Sequence, residues 1–233
     1  MRKLVVIGGG ELRNFTTIEI DKFIADLAKK PDKRTYALFI PTASHDSKPY
    51  FNTFRKTYTS KLDCKVDVAI STKGEMTIEH IKEKIQKADL IYVGGGNTEY
   101  LLNEWKKSGL DQLLIQAYER GVVLCGLSAG AICWFEKALS DCKMVDGVEG
   151  DYEVLDGLGL VEGLCCPHYN DAKRISGYSK VKDQYPNALC IEDDCAVYFE
   201  DGVIKGAIGA GDAYLYNNGE KREVEKINGQ RLG

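Results

Sequence analysis

The chain has 233 residues, which is long enough to bury a sizeable hydrophobic core. Apolar residues make up 44% of it and charged residues 28%, as is typical of globular proteins. The net charge of −4 provides no broad basic face, so we expect no nucleic-acid partner. No apolar run approaches the ~20 residues of a membrane span, and the first one, "LVVI", is too short for a signal peptide. We therefore expect a cytoplasmic protein that does not bind a membrane.

Short apolar runs alternate with helical patterns through the first half of the chain. The strand-like runs are "KLVVIG", "TYALFIP", "CKVDVAI", "DLIYVGGG" and "VVLCGLS". Between them, apolar residues recur at three- and four-residue spacing, for example in "MTIEHIKEKIQKA", which predicts amphipathic helices. Strands without strict alternation, separated by such helices, are typical of a parallel, doubly wound α/β sheet.

The second half has a different texture. Residues 136–165 are rich in Gly and Asp and show weak periodicity, and a helical pattern follows in "DAKRISGYSKVKDQY". Short strand-like runs around "EDG" and "NNG" then predict antiparallel hairpins. Because there is no repeat, linker or low-complexity tract, the sequence favours one domain spanning residues 1–233.

Eight cysteines raise the question of a disulfide framework or a metal site. No two have the C-x-x-C spacing, and Cys165 and Cys166 are adjacent, so they could not jointly bind a metal without strain. Several lie inside strand-like runs, where a free thiol behaves as a small hydrophobic group. We expect reduced, buried cysteines, and neither a metal nor a cofactor is implied.

Two glycine runs follow predicted strands. After the first, at residues 8–10, Arg13 stands where the dinucleotide-binding pattern G-x-G-x-x-G needs its last glycine, so a tight turn is favoured over nucleotide binding. The second run, "VGGGNTEYLL", precedes a helix that Asn97 or Thr98 can cap. Its glycines either only permit the turn or let backbone N–H groups face an oxyanion.

The segment Gly126-Leu127-Ser128-Ala129-Gly130 matches the nucleophile-elbow pattern G-x-S-x-G. A strand-like run precedes it and a helix-like run, "AICWFEKAL", follows it, so the serine is expected at a sharp turn above the carboxyl end of the sheet. The dipole and free N–H groups of that helix would favour developing negative charge. These features predict that the turn presents the serine hydroxyl as a nucleophile.

A serine hydroxyl needs an adjacent base at neutral pH, and the chain has three histidines. His80 lies off the isoleucine stripe of its helix, and His45 lies in a loop after the second strand. His168 ends a strand-like run, "GLCCPHYN", and is the favoured base.

A carboxylate should orient the imidazole of that base. Glu192, Asp193 and Asp194 follow another strand-like run, and a solvated turn is the alternative interpretation of these acids. The order serine, histidine, acid differs from the serine, acid, histidine order of the α/β-hydrolases, which indicates a different fold.

Three motifs, "VGGGNTEYLL", "GLSAGA" and "PHYN", in this order and near these spacings, resemble the peptidase E family of serine peptidases, which also includes the cyanophycinases. The resemblance extends from the first strand to the "EDG" hairpin. It implies a three-layer α/β/α sandwich, related to the class I glutamine amidotransferases, with a mostly parallel doubly wound sheet and antiparallel C-terminal hairpins.

The resemblance also implies roles for individual residues. Ser128 falls on the nucleophile and His168 on the base, while the N–H groups of Gly96 and Ala129 fall on the oxyanion hole. The family usually has a glutamate a few residues before a short apolar strand, which here is "CAVYF".

Alignment to that strand places Asp193 on the acid position, although aspartate is one methylene shorter than the family's glutamate. Glu192 keeps the residue type but is displaced by one, and is the second choice. The shorter side chain requires the backbone to come closer to His168.

The implied activity is that of a serine exopeptidase, which hydrolyses small peptides after an amino-terminal aspartyl residue through a Ser-His-acid triad and an acyl-enzyme. An acidic substrate needs a cation near the serine, and Lys173 and Arg174 are the candidates. Asn97, next to the oxyanion-hole glycine, is a further candidate for substrate binding.

Other functions stay open at this stage. One is a cyanophycinase-like β-aspartyl peptidase, and another is a catalytically silent family member that binds a small ligand, which the displaced acid would favour. Amidotransferase-like chemistry through Cys125 is a third. The oligomeric state is also open, with a homodimer as one candidate.

Overall fold

Residues 1–145 and 150–227 are described by the structure, which is a computed structural model. Residues 146–149, within the Gly- and Asp-rich stretch, and residues 228–233, at the end of the predicted domain, lie outside the described residues. The described helices are α1 (Ile18–Leu27), α2 (Lys48–Ser60), α3 (Ile78–Lys87), α4 (Thr98–Ser108), α5 (Leu110–Glu119), α6 (Ala129–Ile132), α7 (Cys142–Val145) and α8 (Ala172–Val181). None of them is long and apolar enough to cross a membrane.

The strands form two sheets. They are β1 (Lys3–Ile7), β2 (Tyr36–Ile40), β3 (Lys65–Val68), β4 (Leu90–Val93), β5 (Val123–Leu127), β6 (Phe135–Ser140), β7 (Glu153–Asp156), β8 (Val161–Cys166), β9 (Ala188–Ile191), β10 (Cys195–Glu200), β11 (Val203–Gly209), β12 (Ala213–Asn217) and β13 (Glu220–Glu223). The larger sheet has the order β11-β10-β1-β5-β4-β2-β3, and the smaller one β13-β12-β9-β8-β6-β7. In the larger sheet β1 to β5 run parallel, and β10 and β11 are antiparallel to their neighbours.

The larger sheet is buried on both faces. Val5 and Ile7 of β1 belong to an apolar cluster with α1 and α2, whereas Leu4 and Val6 belong to a second cluster with α3, α4 and α5. Strands covered on both sides need apolar residues at successive positions, which explains why their sequences lack strict alternation. The predicted three-layer α/β/α sandwich with a mostly parallel sheet is confirmed.

The C-terminal hairpins are also as predicted. β10 and β11 pair antiparallel around Asp201 and Gly202, and β12 and β13 do so around Asn218 and Gly219. The smaller sheet further contains the parallel pairs β6–β8 and β8–β9. Residues 136–165, whose periodicity is weak, supply most of β6 and β8 and all of β7.

The prediction of a helix over "AICWFEKAL" is wrong. Only one helical turn, α6, follows Ser128, and the chain enters strand β6 at Phe135. β6 pairs with β7 on one side and β8 on the other, and Trp134 packs against Trp105 with ring centroids 5.8 Å apart. Pairing and packing with distant segments thus outweigh the local helical pattern.

Candidate active site

Ser128 occupies the turn between β5 and α6. Its backbone has φ 53° and ψ −113°, a conformation that non-glycine residues rarely adopt. Hydrogen bonds hold the turn: the Ser128 N–H donates to the Ile7 carbonyl at 2.9 Å, and the Ser128 carbonyl accepts from Ala131 and Ile132 at 2.8 and 3.0 Å. The hydroxyl is thereby presented at the carboxyl end of the larger sheet.

The imidazole of His168 lies between Ser128 and Asp193. Its Nε2 is 2.8 Å from Ser128 Oγ, and its Nδ1 is 2.6 Å from Asp193 Oδ1. Strands β8 and β9 of the smaller sheet end two residues before His168 and Asp193, respectively. The larger sheet therefore supplies the serine, and the smaller sheet supplies the histidine and the acid.

Asp193 is fixed from several directions. Its N–H donates to Asn170 Oδ1 at 3.0 Å, and Asn170 Nδ2 donates to Asp193 Oδ2 at 3.3 Å. The hydrogen bond to His168 is the main reason that the pKa of Asp193 lies below its usual value, and it outweighs the opposing effect of burial. The group is therefore a carboxylate near neutral pH, able to accept a hydrogen bond from the Nδ1–H group of the imidazole.

The two neighbouring acids face elsewhere. Glu192 Oε2 accepts from the Asp212 N–H at 3.1 Å, and Tyr214 OH donates to Glu192 Oε1 at 3.4 Å. Asp194 accepts a short hydrogen bond from the Thr16 hydroxyl. The structure thus brings Asp193 to the imidazole and not the second choice, Glu192.

Gly9 lies against the histidine and the acid. It forms an isolated parallel bridge with Asp193, and the Asp194 N–H donates to the Gly9 carbonyl at 3.0 Å. A Cβ atom on Gly9 would overlap both Asp193 Oδ1 and the ring of His168. The first glycine run, interpreted from the sequence only as a turn, therefore makes room for this pair.

The second glycine run lies on the other side of the serine. The Gly95 N–H donates to Tyr50 OH at 3.2 Å, and Gly96 has φ +141°. A Cβ atom on Gly96 would overlap the Ala43 carbonyl, so the close approach requires glycine. Among the described residues, the N–H groups of Gly96 and Ala129 have no hydrogen-bond acceptor.

Comparisons with known proteins identify the family of the chain. The family model described as peptidase family S51 matches residues 4–206. The chain belongs to peptidase family S51. YgaJ of Bacillus subtilis (strain 168), named an uncharacterized peptidase, is 37% identical over 174 residues, which cover 74% of this S51 chain and 71% of YgaJ. Peptidase E of Salmonella arizonae is 32% identical over 149 residues, which cover 63% of this chain and 60% of that protein.

The fold of this S51 peptidase also has a solved counterpart. The crystal structure of a peptidase from an acI-B1 Actinobacterium matches it with a TM-score of 0.75, covering 98% of this chain and 96% of that chain. The sequence identity is 18%, so this likeness concerns the fold. Family membership, together with relatives that are named peptidases, identifies the chain as a peptidase.

The structure places the three residues predicted to bind substrate in different surroundings. Arg174 is buried, and its guanidinium donates to the Leu139 carbonyl at 3.2 Å and to Asp141 at 2.8 Å, so this charge is neutralised inside the fold. Lys173 is exposed on α8 but is not among the described residues that line the cavity beside the serine. Asn97 caps α4, because its Oδ1 accepts from the Tyr100 N–H at 2.9 Å.

The cavity beside Ser128 has a volume of about 470 Å³. Its walls come from the ends of β4 and β5, from the start of α2, from His168 and from the loop that follows β1. The described residues that line it are Gly10, Glu11, Leu12, Arg13, Pro49, Tyr50, Thr53, Gly95, Gly96, Leu127, Ser128 and His168. The contribution of Glu11, Arg13 and Tyr50 could not be predicted from the sequence, because no local pattern brings them to the serine.

Chemistry through Cys125 does not fit the structure. Its thiol is fully buried and donates to the Ile91 carbonyl at 3.4 Å. Burial raises the pKa of this thiol well above its usual value, which disfavours the thiolate that nucleophilic attack requires. All eight cysteines are free and buried, as the sequence predicted.

Proposed function

We propose that this S51 chain is a serine exopeptidase that hydrolyses small peptides after an amino-terminal aspartyl residue. The observation that carries the proposal is the continuous hydrogen-bonded series from Ser128 Oγ through the imidazole of His168 to Asp193 Oδ1, with distances of 2.8 and 2.6 Å. The series opens onto the cavity beside the serine. The substrate class rests on the resemblance to the peptidase E family.

In the first step, His168 removes the proton of the Ser128 hydroxyl. The carboxylate of Asp193 favours the tautomer that carries its proton on Nδ1, which leaves Nε2 free to accept the serine proton. The hydroxyl oxygen then attacks the peptide carbonyl that follows the aspartyl residue, and the imidazolium donates its proton to the leaving amine. Asp193 stabilises the imidazolium and stays ionised throughout.

The N–H groups of Gly96 and Ala129 are proposed to stabilise the oxyanion of the tetrahedral intermediate. Support comes from their position on either side of the serine and from the lack of another acceptor for them within the described residues. Such donors act at the point where charge develops. Water activated by His168 then releases the aspartyl group from Ser128 and regenerates the enzyme.

The direct test is Ser128→Ala, assayed by kcat/KM on the dipeptide Asp-Leu. We expect a loss of at least about 10⁴-fold, because the nucleophile is removed. Ser60→Ala is the matched control, since Ser60 is an exposed serine at the end of α2 and should leave kcat/KM unchanged. Equal turnover by wild type and Ser128→Ala would refute the mechanism.

A fluorophosphonate probe gives an independent readout. It should label the wild type at Ser128 and leave Ser128→Ala unlabelled. A wild-type protein that binds Asp-Leu but is neither labelled nor active would instead be a catalytically silent binding protein. Preferential turnover of β-aspartyl-arginine would indicate a cyanophycinase-like enzyme.

A further inference from the structure

Two charged side chains on the cavity wall have no assigned role. Glu11 and Arg13 lie on the loop between β1 and α1, and both are exposed. Within residues 1–145 and 150–227, neither side chain has an ion-pair partner. Arg13 is also the only lysine or arginine among the described residues that line the cavity. Both charges are therefore available to a ligand.

The backbone of this loop is tied to the turn that carries the acid. The Glu11 N–H donates to Thr16 Oγ1 at 2.9 Å, and the Thr16 hydroxyl in turn donates to Asp194. The Thr16 N–H closes the loop by donating to the Glu11 carbonyl at 3.2 Å, and the side chain of Leu12 is buried beneath it. These contacts fix where Glu11 and Arg13 leave the backbone relative to His168 and Asp193.

The charges are arranged with opposite signs on one rim of the cavity. Glu11 and Arg13 are two residues apart, with the buried Leu12 between them. Another part of the wall is formed by α2, where burial raises the pKa of Tyr50 to about 12, with smaller contributions from Asp21 and Glu11. Tyr50 is thus a neutral phenol, and Arg13 is left as the permanent positive charge of the cavity wall.

We propose that Arg13 binds the side-chain carboxylate of the substrate's first residue and that Glu11 binds its free α-ammonium group. An amino-terminal aspartyl residue carries both groups within a single residue, which matches two opposite charges on one short loop. An internal residue of a longer chain lacks the ammonium, so Glu11 would also restrict the enzyme to free amino termini. This assignment rests on the proposed function and replaces Lys173 and Arg174 as the source of the cation.

The first test measures selectivity for the side-chain carboxylate. The preference for Asp-Leu over the isosteric Asn-Leu, as a ratio of kcat/KM values, should fall about 10- to 100-fold in Arg13→Gln, because a charge-assisted hydrogen bond is lost. Arg55→Gln is the control: Arg55 is exposed on α2, contacts Asn52 and does not line the cavity, so the ratio should stay unchanged. Equal losses on both dipeptides would overturn the assignment and indicate that Arg13 binds the carboxyl terminus.

The second test addresses the ammonium group. Wild type should prefer Asp-Leu over N-acetyl-Asp-Leu, and Glu11→Gln should reduce this preference about tenfold or more. Glu19→Gln, on the exposed face of α1, is the matched control. A preference that Glu11→Gln leaves intact would refute the role of Glu11.

A binding measurement separates this inference from the proposed function. In the Ser128→Ala background, calorimetry should show that Arg13→Gln weakens Asp-Leu binding more than Asn-Leu binding. If wild type hydrolyses Asp-Leu but Arg13→Gln changes neither selectivity nor binding, only the assignment fails. If wild type hydrolyses no peptide yet Arg13 still controls Asp-Leu binding, the recognition stands and the peptidase mechanism fails.

Discussion

The same tripeptide, Gly-Gly-Gly, follows two strands of the larger sheet and has a different structural role in each place. At residues 8–10, after β1, the absence of a side chain on Gly9 leaves room for the ring of His168 and the carboxylate of Asp193. At residues 94–96, after β4, Gly96 has a positive φ, and its missing side chain lets the loop approach the Ala43 carbonyl closely. One run makes room for side chains, and the other makes room for backbone.

This difference is set by what each run touches and not by its own composition. The first run meets the acid turn of the smaller sheet, as the bridge between Gly9 and Asp193 shows. The second meets the 3-10 helix at Thr42–Ser44, where the Ala43 carbonyl accepts from the Asn97 N–H at 2.8 Å. Substitutions in the two runs should therefore impair the proposed chemistry in distinguishable ways.

Within the two glycine runs, the larger effect is expected for Gly9→Ala. The added Cβ overlaps Asp193 Oδ1 and the ring of His168, so the pair must separate and the imidazole loses its orientation. We expect kcat/KM on Asp-Leu to fall at least about 10³-fold, as when a triad acid is disabled. The measurement is steady-state kinetics, together with the pH dependence of kcat/KM.

The control for this prediction is a double substitution. Asp193→Ala alone should cause a similar loss, and adding Gly9→Ala to it should cost little more, because the histidine–acid pair that the new Cβ separates is already broken. Fully additive losses would mean that Gly9 acts on activity by a route other than the histidine–acid pair.

A smaller effect is expected for Gly96→Ala. Its φ of +141° and the overlap with the Ala43 carbonyl would force the loop to shift and move the proposed oxyanion donor. We expect kcat to fall about 10²- to 10³-fold with a smaller change in KM. Gly74→Ala is the matched control, because Gly74 also has positive φ, +65°, but faces open space. It should lower stability by about 1 kcal/mol and leave kcat unchanged.

The smallest effect on activity is expected for a substitution of Asp21, which connects the two helices next to the glycine runs. Asp21 accepts hydrogen bonds from Tyr58 at 2.8 Å and from Thr17 at 2.9 Å, and so joins α1, which follows the first run, to α2, whose Tyr50 contacts the second. Burial is the main reason that its pKa rises from 3.8 to about 6. Asp21→Asn should therefore change kcat/KM less than about threefold and act mainly on stability.

The sign of the stability effect follows from that pKa. Because the native carboxyl of Asp21 holds its proton to higher pH than the unfolded one, ionisation weakens the native state as pH rises through the window from about 4 to about 6. In urea unfolding, wild type should lose on the order of 2 kcal/mol across this window from this group, and Asp21→Asn should not. Asp26→Asn, an exposed acid on the same helix, should keep the wild-type slope. An unchanged slope in Asp21→Asn would contradict the prediction.

The strand and helix pattern was predictable because each element of the larger sheet carries its own local signal. The hypothesis for the site also depends on local signals, namely the nucleophile-elbow motif around Ser128 and the small number of histidines. His168 could be named because it ends a strand-like run, whereas Asp193 was selected from the three adjacent acids by the resemblance to the peptidase E family. Sequence order and spacing carry that much information.

The remaining features depend on contacts between distant segments. The helix expected after Ser128 gives way to β6 because two other strands pair with it. In the sequence, Arg174 has the pattern of a surface cation. In the structure, its guanidinium is bound by Asp141 and the Leu139 carbonyl inside the fold. In the sequence, Arg13 is notable only because it breaks a nucleotide-binding pattern. Its loop is tied to Asp194 through Thr16, and this contact brings Arg13 to the cavity.

The backbone conformation of Ser128 lowers the stability of the folded protein. A residue with a side chain at φ 53° and ψ −113° costs about 1–3 kcal/mol relative to a relaxed conformation. Glycine would adopt these angles without that cost, but it would lack the hydroxyl that we propose as the nucleophile. Ser128→Gly is therefore expected to remove this conformational cost, and selection for fold stability alone would favour glycine at this position. The persistence of serine at this position would be a signature of selection for catalysis against selection for stability.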